Sequence, residues 1–182
     1  IAEDKVLELN NSFVHQRSYT SYAQLANSQL EQPQTTHADR YVHNFAYGVS
    51  AYSKGAIFLD QLGYIIGEEA LQETLKKYYQ YWKFKHPKPN DFKRIAEKVS
   101  GMQLDWYLTD WTQTTNTIDY GVASVEEKKK ETTITLERIG NMPMPLEVSV
   151  DLIDGDTLQY YIPLPLLRKD KTLSDKVLTL KE

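Results

Sequence analysis

Cysteine is absent from this 182-residue sequence, which removes a disulfide framework, a thiolate zinc site and a thiol nucleophile together. The same absence leaves the redox compartment unreadable, because a cysteine-free chain suits either side of a membrane. Positive charge is not in excess: Lys and Arg number 21 against 25 Asp and Glu, a formal charge of -4. That balance carries no nucleic-acid or anionic-membrane footprint, so no nucleic-acid partner is expected. No uninterrupted run of about eighteen apolar residues occurs, hence no membrane-spanning segment is expected, and no charged-then-apolar signal sequence is present. The chain opens Ile1-Ala2-Glu3-Asp4 rather than on Met and reads as a piece of a longer polypeptide. What is present is 41% hydrophobic and 12% aromatic, with 13 Tyr, the composition of a folded globule. The length suffices for one ordinary domain or two small ones.

Several enzyme signatures are missing as well. There is no GxSxG elbow, P-loop or GxGxxG, and none of His15, His37, His43 and His86 belongs to an HExxH helix. His37, Asp39 and His43 are ligand-type side chains in a polar loop whose spacing matches no standard metal pattern, so ordinary loop hydrogen bonding is the expected role and no metal site is assigned.

Periodicity divides the chain. Val6, Leu9, Phe13, Tyr22 and Leu25 keep helical spacing within Ala2 to Gln29. Asn27 to Arg40 has no apolar period and reads as an extended loop, a kind of segment that is often functional. Tyr52, Ala56, Leu59, Leu62 and Ile66 mark one face of a helix from Ser50 to Ile66, and Ile57, Phe58 and Ile65 make the other faces apolar too, so it is expected to be buried nearly all round. Gly67 is its C-cap. Leu71, Leu75, Tyr78 and Trp82 stripe the next helix, where Tyr78, Tyr79, Tyr81 and Trp82 are expected to pack in the core rather than stack on sugar. A short helix capped by Asn90 follows, then one carrying Leu104, Leu108 and Trp111.

Near Thr117 the period falls to two. Ile134 and Leu136, then Leu146, Val148, Val150 and Leu152, alternate with polar neighbours. Asp154-Gly155 marks a hairpin into Leu158, Tyr160 and Ile162. With Ile118 to Val125 and Val177 to Leu180 the total is about five antiparallel strands, enough for a small β-sandwich or the incomplete beginning of one. Glu126 to Glu131 reads as a solvated turn.

One segment stands out: Asn44-Phe45-Ala46-Tyr47-Gly48-Val49-Ser50-Ala51-Tyr52-Ser53-Lys54-Gly55-Ala56. Its Tyr-x-Lys-Gly-Ala resembles the corresponding segment of the gluzincin aminopeptidases, the family of aminopeptidase N and leukotriene A4 hydrolase. The likeness continues through Phe58-Leu59-Asp60-Gln61-Leu62, Trp82-Lys83-Phe84-Lys85-His86-Pro87, Asp105-Trp106-Tyr107 and Thr114-Thr115-Asn116-Thr117-Ile118-Asp119-Tyr120 into Leu136-Glu137-Arg138-Ile139-Gly140 and Met142-Pro143-Met144-Pro145. It covers most of the chain.

The resemblance implies an α+β fold. Residues 1–115 would be the helical C-terminal half of a thermolysin-like catalytic domain, and residues 116–182 a small antiparallel β-sandwich. It implies that Tyr52 is the catalytic tyrosine, donating a hydrogen bond to the oxyanion formed during peptide hydrolysis. A tyrosine at this spacing is by itself a core residue; the matching Lys54, Gly55 and Ala56 favour the functional reading. Asn44 and Tyr47, in a loop leading to the helix, would face substrate, although fixing that loop by hydrogen bonds would account for them equally well. Gly55 would admit a neighbouring backbone, and Lys54 would be structural. The full-length enzyme would be a zinc metalloaminopeptidase acting on peptide substrates. Its zinc would be held by an HExxH segment in an N-terminal part of the same polypeptide, so this chain alone is expected to bind no catalytic zinc and to be inactive. The same resemblance favours export to the periplasm or outside the cell. The competing expectation is a free-standing, non-catalytic module that binds a peptide or another protein.

Overall fold

The computed structural model describes residues 15–128, 131–152, 155–167 and 177–181. They divide into two compact units at the junction of Thr115 and Asn116, and the class is α+β, with helices first and antiparallel strands after.

In the first unit α1 (Gln16–Asn27) buries Leu25 against Ala46 and Val49, with Tyr22 and Tyr41 packed alongside. Val6, Leu9 and Phe13, expected on the same stripe, lie outside the described residues. From Ser28 to His43 the chain is irregular apart from a 3₁₀ turn at Ala38–Arg40.

A continuous helical run follows: α2 (Asn44–Gly48), a π-helical stretch (Val49–Lys54) and α3 (Gly55–Ile66). It starts six residues earlier than the periodicity indicates, so Asn44 and Tyr47 lie on helix rather than in a loop. Gly48 costs a helix only about 1 kcal/mol relative to alanine, and burial of Ala46 and Val49 on Leu25 outweighs that. Nor is the run buried nearly all round as expected: Ile57, Leu62 and Gly63 are buried, whereas Tyr64 reaches the surface.

Gly67, at φ +88°, turns the chain into α4 (Glu68–Trp82). Its inward face runs through Leu71 and Thr74, with Leu75 partly exposed, so Thr74 replaces Leu75 on the expected stripe. Tyr78 meets Phe92 edge-on at 5.3 Å. Tyr79 and Tyr81 are exposed, which overturns their expected core role. Tyr79 follows Tyr78 by one position, off the stripe that Leu71, Thr74 and Tyr78 share, whereas Tyr81 keeps a three-residue spacing to Tyr78 and is exposed one residue before the helix ends.

α5 (Pro89–Ser100) begins with Lys88 as its cap rather than Asn90. Pro89 occupies the first helical position, where a missing N–H costs nothing, and the Asp91 carboxylate accepts the Lys88 N–H at 2.8 Å. α6 (Asp105–Gln113) buries Tyr107, Leu108 and Trp111, with Leu104 buried just ahead of it. Phe58 of α3 sits 5.1 Å from the Tyr107 ring, and the Tyr107 hydroxyl donates to the Phe58 carbonyl at 2.7 Å.

The Tyr19 hydroxyl joins α1 to α3, donating to Asp60 Oδ2 and accepting from Gln61 Nε2, each at 2.6 Å. Burial first, then the Asp60 hydrogen bond, push its pKa from the ordinary 10.0 up to about 12. A raised folded value means the proton is held more tightly in the native state. The associated stability is complete below pH 10.0 and is lost as pH rises toward about 12. Tyr19→Phe is therefore expected to give a shallower fall of unfolding free energy across that window, read by urea titrations at stepped pH; an unaltered slope would remove Tyr19 from the account.

In the second unit β1 (Tyr120–Lys128), β2 (Glu131–Arg138) and β5 (Val177–Lys181) form one antiparallel sheet in the order β1-β2-β5. β3 (Leu146–Asp151) and β4 (Thr157–Ile162) form a second, and the short α7 (Leu164–Leu167) follows β4. Ile134, Leu136, Ile162 and Leu167 form one apolar cluster, with Tyr120, Leu146, Val148 and Val150 against it, so both sheets share a core. The strands extend into the charge run expected as a turn: Glu126 pairs with Thr133, and Lys128 with Glu131. Glu126 and Glu127 are both exposed on the strand, so these charges need no loop, and Lys129 and Lys130 lie outside the described residues. In the β3–β4 connection Asp154 lies outside the described residues, while Gly155 takes φ +96°.

Gly140 is the tightest point of this unit. Its N–H and that of Ile139 both donate to the Asp119 carbonyl at 2.9 Å, and a Cβ there would stand 2.1 Å from the Thr117 oxygen. Because the obstacle is backbone, Gly140→Ala is expected to destabilise the protein by about 1–3 kcal/mol, the cost of overpacking. A thermal midpoint equal to that of the parent protein would contradict this.

Candidate functional site

Tyr52 lies inside the π stretch, where hydrogen bonds run i→i+5 and the turn holds an extra residue. Helical periodicity had placed its ring on the buried stripe with Leu62, but it is 77% exposed. The wider turn shifts the helix phase by about one residue, roughly 100°. Lys54, at 0% exposure, takes the inward direction instead.

A buried ammonium requires a partner. Lys54 Nζ donates to Glu31 Oε1 at 2.7 Å, and the Glu31 side chain is only 6% exposed. The ammonium also lies 5.4 Å from the centre of the Tyr22 ring. Burial first, then the Glu31 carboxylate, raise the pKa of the Tyr22 phenol above its ordinary value. Three residues on, Gln34 Nε2 donates to the Ser50 carbonyl at 2.8 Å. The same amide lies over Gly55, where an added Cβ would be 3.6 Å from it. The neighbour at Gly55 is thus a side chain at ordinary contact distance rather than the backbone expected from the sequence.

Further bonds hold the irregular segment in place. Val42 N–H donates to Gln32 Oε1 at 2.8 Å, Gln32 Nε2 donates to the Arg40 carbonyl at 3.2 Å, and Thr35 N–H donates to the Thr112 carbonyl at 3.0 Å. The Tyr41 hydroxyl donates to the Pro33 carbonyl at 3.1 Å, and its ring meets Tyr47 edge-on at 5.4 Å.

Asn44 is exposed in the first turn of α2, and Tyr47 is partly exposed one turn later. Tyr47 and Tyr52 are five positions apart, about 140° around a regular α-helix. Winding at i→i+5 turns such a pair toward a common side. These three residues therefore share one helical run, with Phe45 exposed between them.

Among the described residues no three His, Asp or Glu side chains gather as a metal-binding group. The catalytic zinc implied by the resemblance does not fit the residues described here, and no metal-dependent step is assigned to them. In the His37, Asp39 and His43 segment, Asp39 N–H donates to His37 Nδ1 at 3.3 Å, closing the 3₁₀ turn. No helix among the described residues is long and apolar enough to cross a membrane.

Glu31 and Gln34 did not emerge from sequence patterns. The signal available was indirect: Lys54 precedes an apolar helix, and Glu31 and Asp39 are the acids of the polar segment 27–40.

Comparison with known proteins bears on this arrangement directly. The model of the peptidase family M1 domain matches residues 4–111, a span that contains α1 through most of α6 and, apart from Thr112, every residue just described around Tyr52. The chain is also 27% identical over 139 residues to the alanine/arginine aminopeptidase of Saccharomyces cerevisiae. That alignment covers 76% of this chain and 15% of the yeast protein, so the chain spans a small part of its curated relative's length. With more than half of its residues matched by the family model, this chain belongs to peptidase family M1.

Proposed function

We propose that this chain is part of a zinc metalloaminopeptidase of the gluzincin type, and that its contribution to peptide hydrolysis is the Tyr52 phenol. The observation that carries the reading is the exposure of Tyr52 on a π stretch within the family-matched residues. π insertions occur frequently at functional sites. Attack on a peptide carbonyl places negative charge on its oxygen, and a hydroxyl already aimed at that position stabilises the intermediate without reorganising. A phenol supplies such a donor without bringing a charge of its own.

Asn44 and Tyr47 are proposed to face substrate from α2. The HExxH segment and its zinc belong, in this proposal, to residues outside the chain, and the isolated chain is inactive. The strands of residues 116–182 are proposed to belong to a β-sandwich. The test is Tyr52→Phe in the full-length protein, assayed on an aminoacyl p-nitroanilide: turnover is expected to fall with zinc content unchanged, and retained turnover rejects the assignment.

A further inference from the structure

The described residues offer three features beyond Tyr52 itself. One is the exposed aromatic edge of α4, where nothing on the surface identifies an occupant. Another is the small apolar pocket lined by Phe58, Leu62, Phe92, Ala96 and Leu104, which has too little space and polarity for a ligand. The third is the buried polar clamp beneath the π stretch, and it can be carried further.

Resting on the assignment of Tyr52 as the oxyanion donor, we propose that Glu31 and Gln34 are positioning residues: they hold the π stretch from the irregular segment and so fix where the Tyr52 phenol stands. The two attachments are of different kinds and fall on both sides of Tyr52. Glu31 binds the Lys54 ammonium two residues after it, and Gln34 binds the Ser50 carbonyl two residues before it. Tyr52 itself is exposed, so neighbouring side chains do not pack its ring into position. Its location depends on the backbone that carries it, and i→i+5 geometry is uncommon enough to need support from outside the helix.

The clamp is itself anchored. Tyr22 of α1 lies against Lys54, and Thr35, next to Gln34, is tied to α6 through the Thr112 carbonyl. Helix α6 thus fixes the segment that holds the π stretch, while α1 bears on the stretch itself through Lys54. A catalytic donor displaced by about 1 Å loses much of its effect, whereas substrate binding that does not depend on that donor is retained.

The test uses the active full-length protein, with Gln34→Met and the charge-free pair Glu31→Gln/Lys54→Met each made with Tyr52 present and with Tyr52→Phe. The pair removes both buried charges together, which preserves folding better than removing one; Gln34→Met removes one hydrogen bond and carries the test if the pair fails to fold. Turnover on an aminoacyl p-nitroanilide is expected to fall about tenfold with Tyr52 present, with KM and zinc content unchanged. In the Tyr52→Phe background each change is expected to cost less than twofold, because the group being positioned is already gone. Equal losses in both backgrounds, a loss confined to KM, or unchanged turnover with Tyr52 present would overturn the positioning role while leaving Tyr52 its own. If Tyr52→Phe alone has no effect, the assignment of Tyr52 fails first and the positioning role falls with it.

Discussion

Tyr52→Phe in the full-length protein is expected to lower turnover roughly a hundred-fold or more, corresponding to about 2.7–4 kcal/mol of lost transition-state stabilisation. The substitution deletes one oxygen from a side chain that is 77% exposed and leaves the ring. Folding gives little reason for a large effect, since surface changes of this size alter stability by about 0.5 kcal/mol or less. A large kinetic loss with unchanged unfolding would therefore belong to chemistry rather than to packing. Steady-state kinetics, zinc content and thermal unfolding on the same preparations separate the two. If unfolding shifts by several kcal/mol, the hydroxyl has a structural task that this surface position does not reveal.

Lys54→Met is expected to show the opposite pattern in stability, destabilising the protein by about 3–5 kcal/mol, the usual cost of breaking a buried ion pair at one end. Lys54 is fully buried, its Glu31 partner nearly so, and their atoms are 2.7 Å apart. Removing the ammonium strands a carboxylate with little access to water. The contact of Lys54 with the Tyr22 ring is also lost, but it contributes less than the stranded charge costs. Adding Glu31→Gln should restore most of the loss, because a neutral amide tolerates the same surroundings far better. Urea unfolding of the two single variants and the pair measures the coupling. Additive losses would mean that Glu31 and Lys54 act independently.

The two expectations separate Tyr52 and Lys54, which periodicity could not. At regular helical spacing Tyr52 joins Ala56, Leu59, Leu62 and Ile66 on a buried face. An α-helical period carries no mark of an added residue in a turn, so the phase error passed straight to the side chains before Gly55. The early start of the helix at Asn44 was hidden for a related reason: Gly48 is a weak local breaker, and the contacts that override it come from Leu25, more than twenty residues away. Elsewhere local information sufficed. Gly67 and Gly101 take positive φ at the ends of their helices, and the alternating residues from Ile134 and from Leu146 form strands.

By itself the sequence determined the order of helices and strands, because side-chain period and glycine punctuation act over a few neighbouring residues. It also determined membership of family M1, whose model matches residues 4–111. Only the tertiary structure decided that Tyr52 turns outward, that Lys54 turns inward and that Glu31 and Gln34 lie beneath them. Those outcomes depend on contacts sixteen and twenty-three residues apart. A charge can be buried only where a distant partner meets it, and no local pattern records which partner that is.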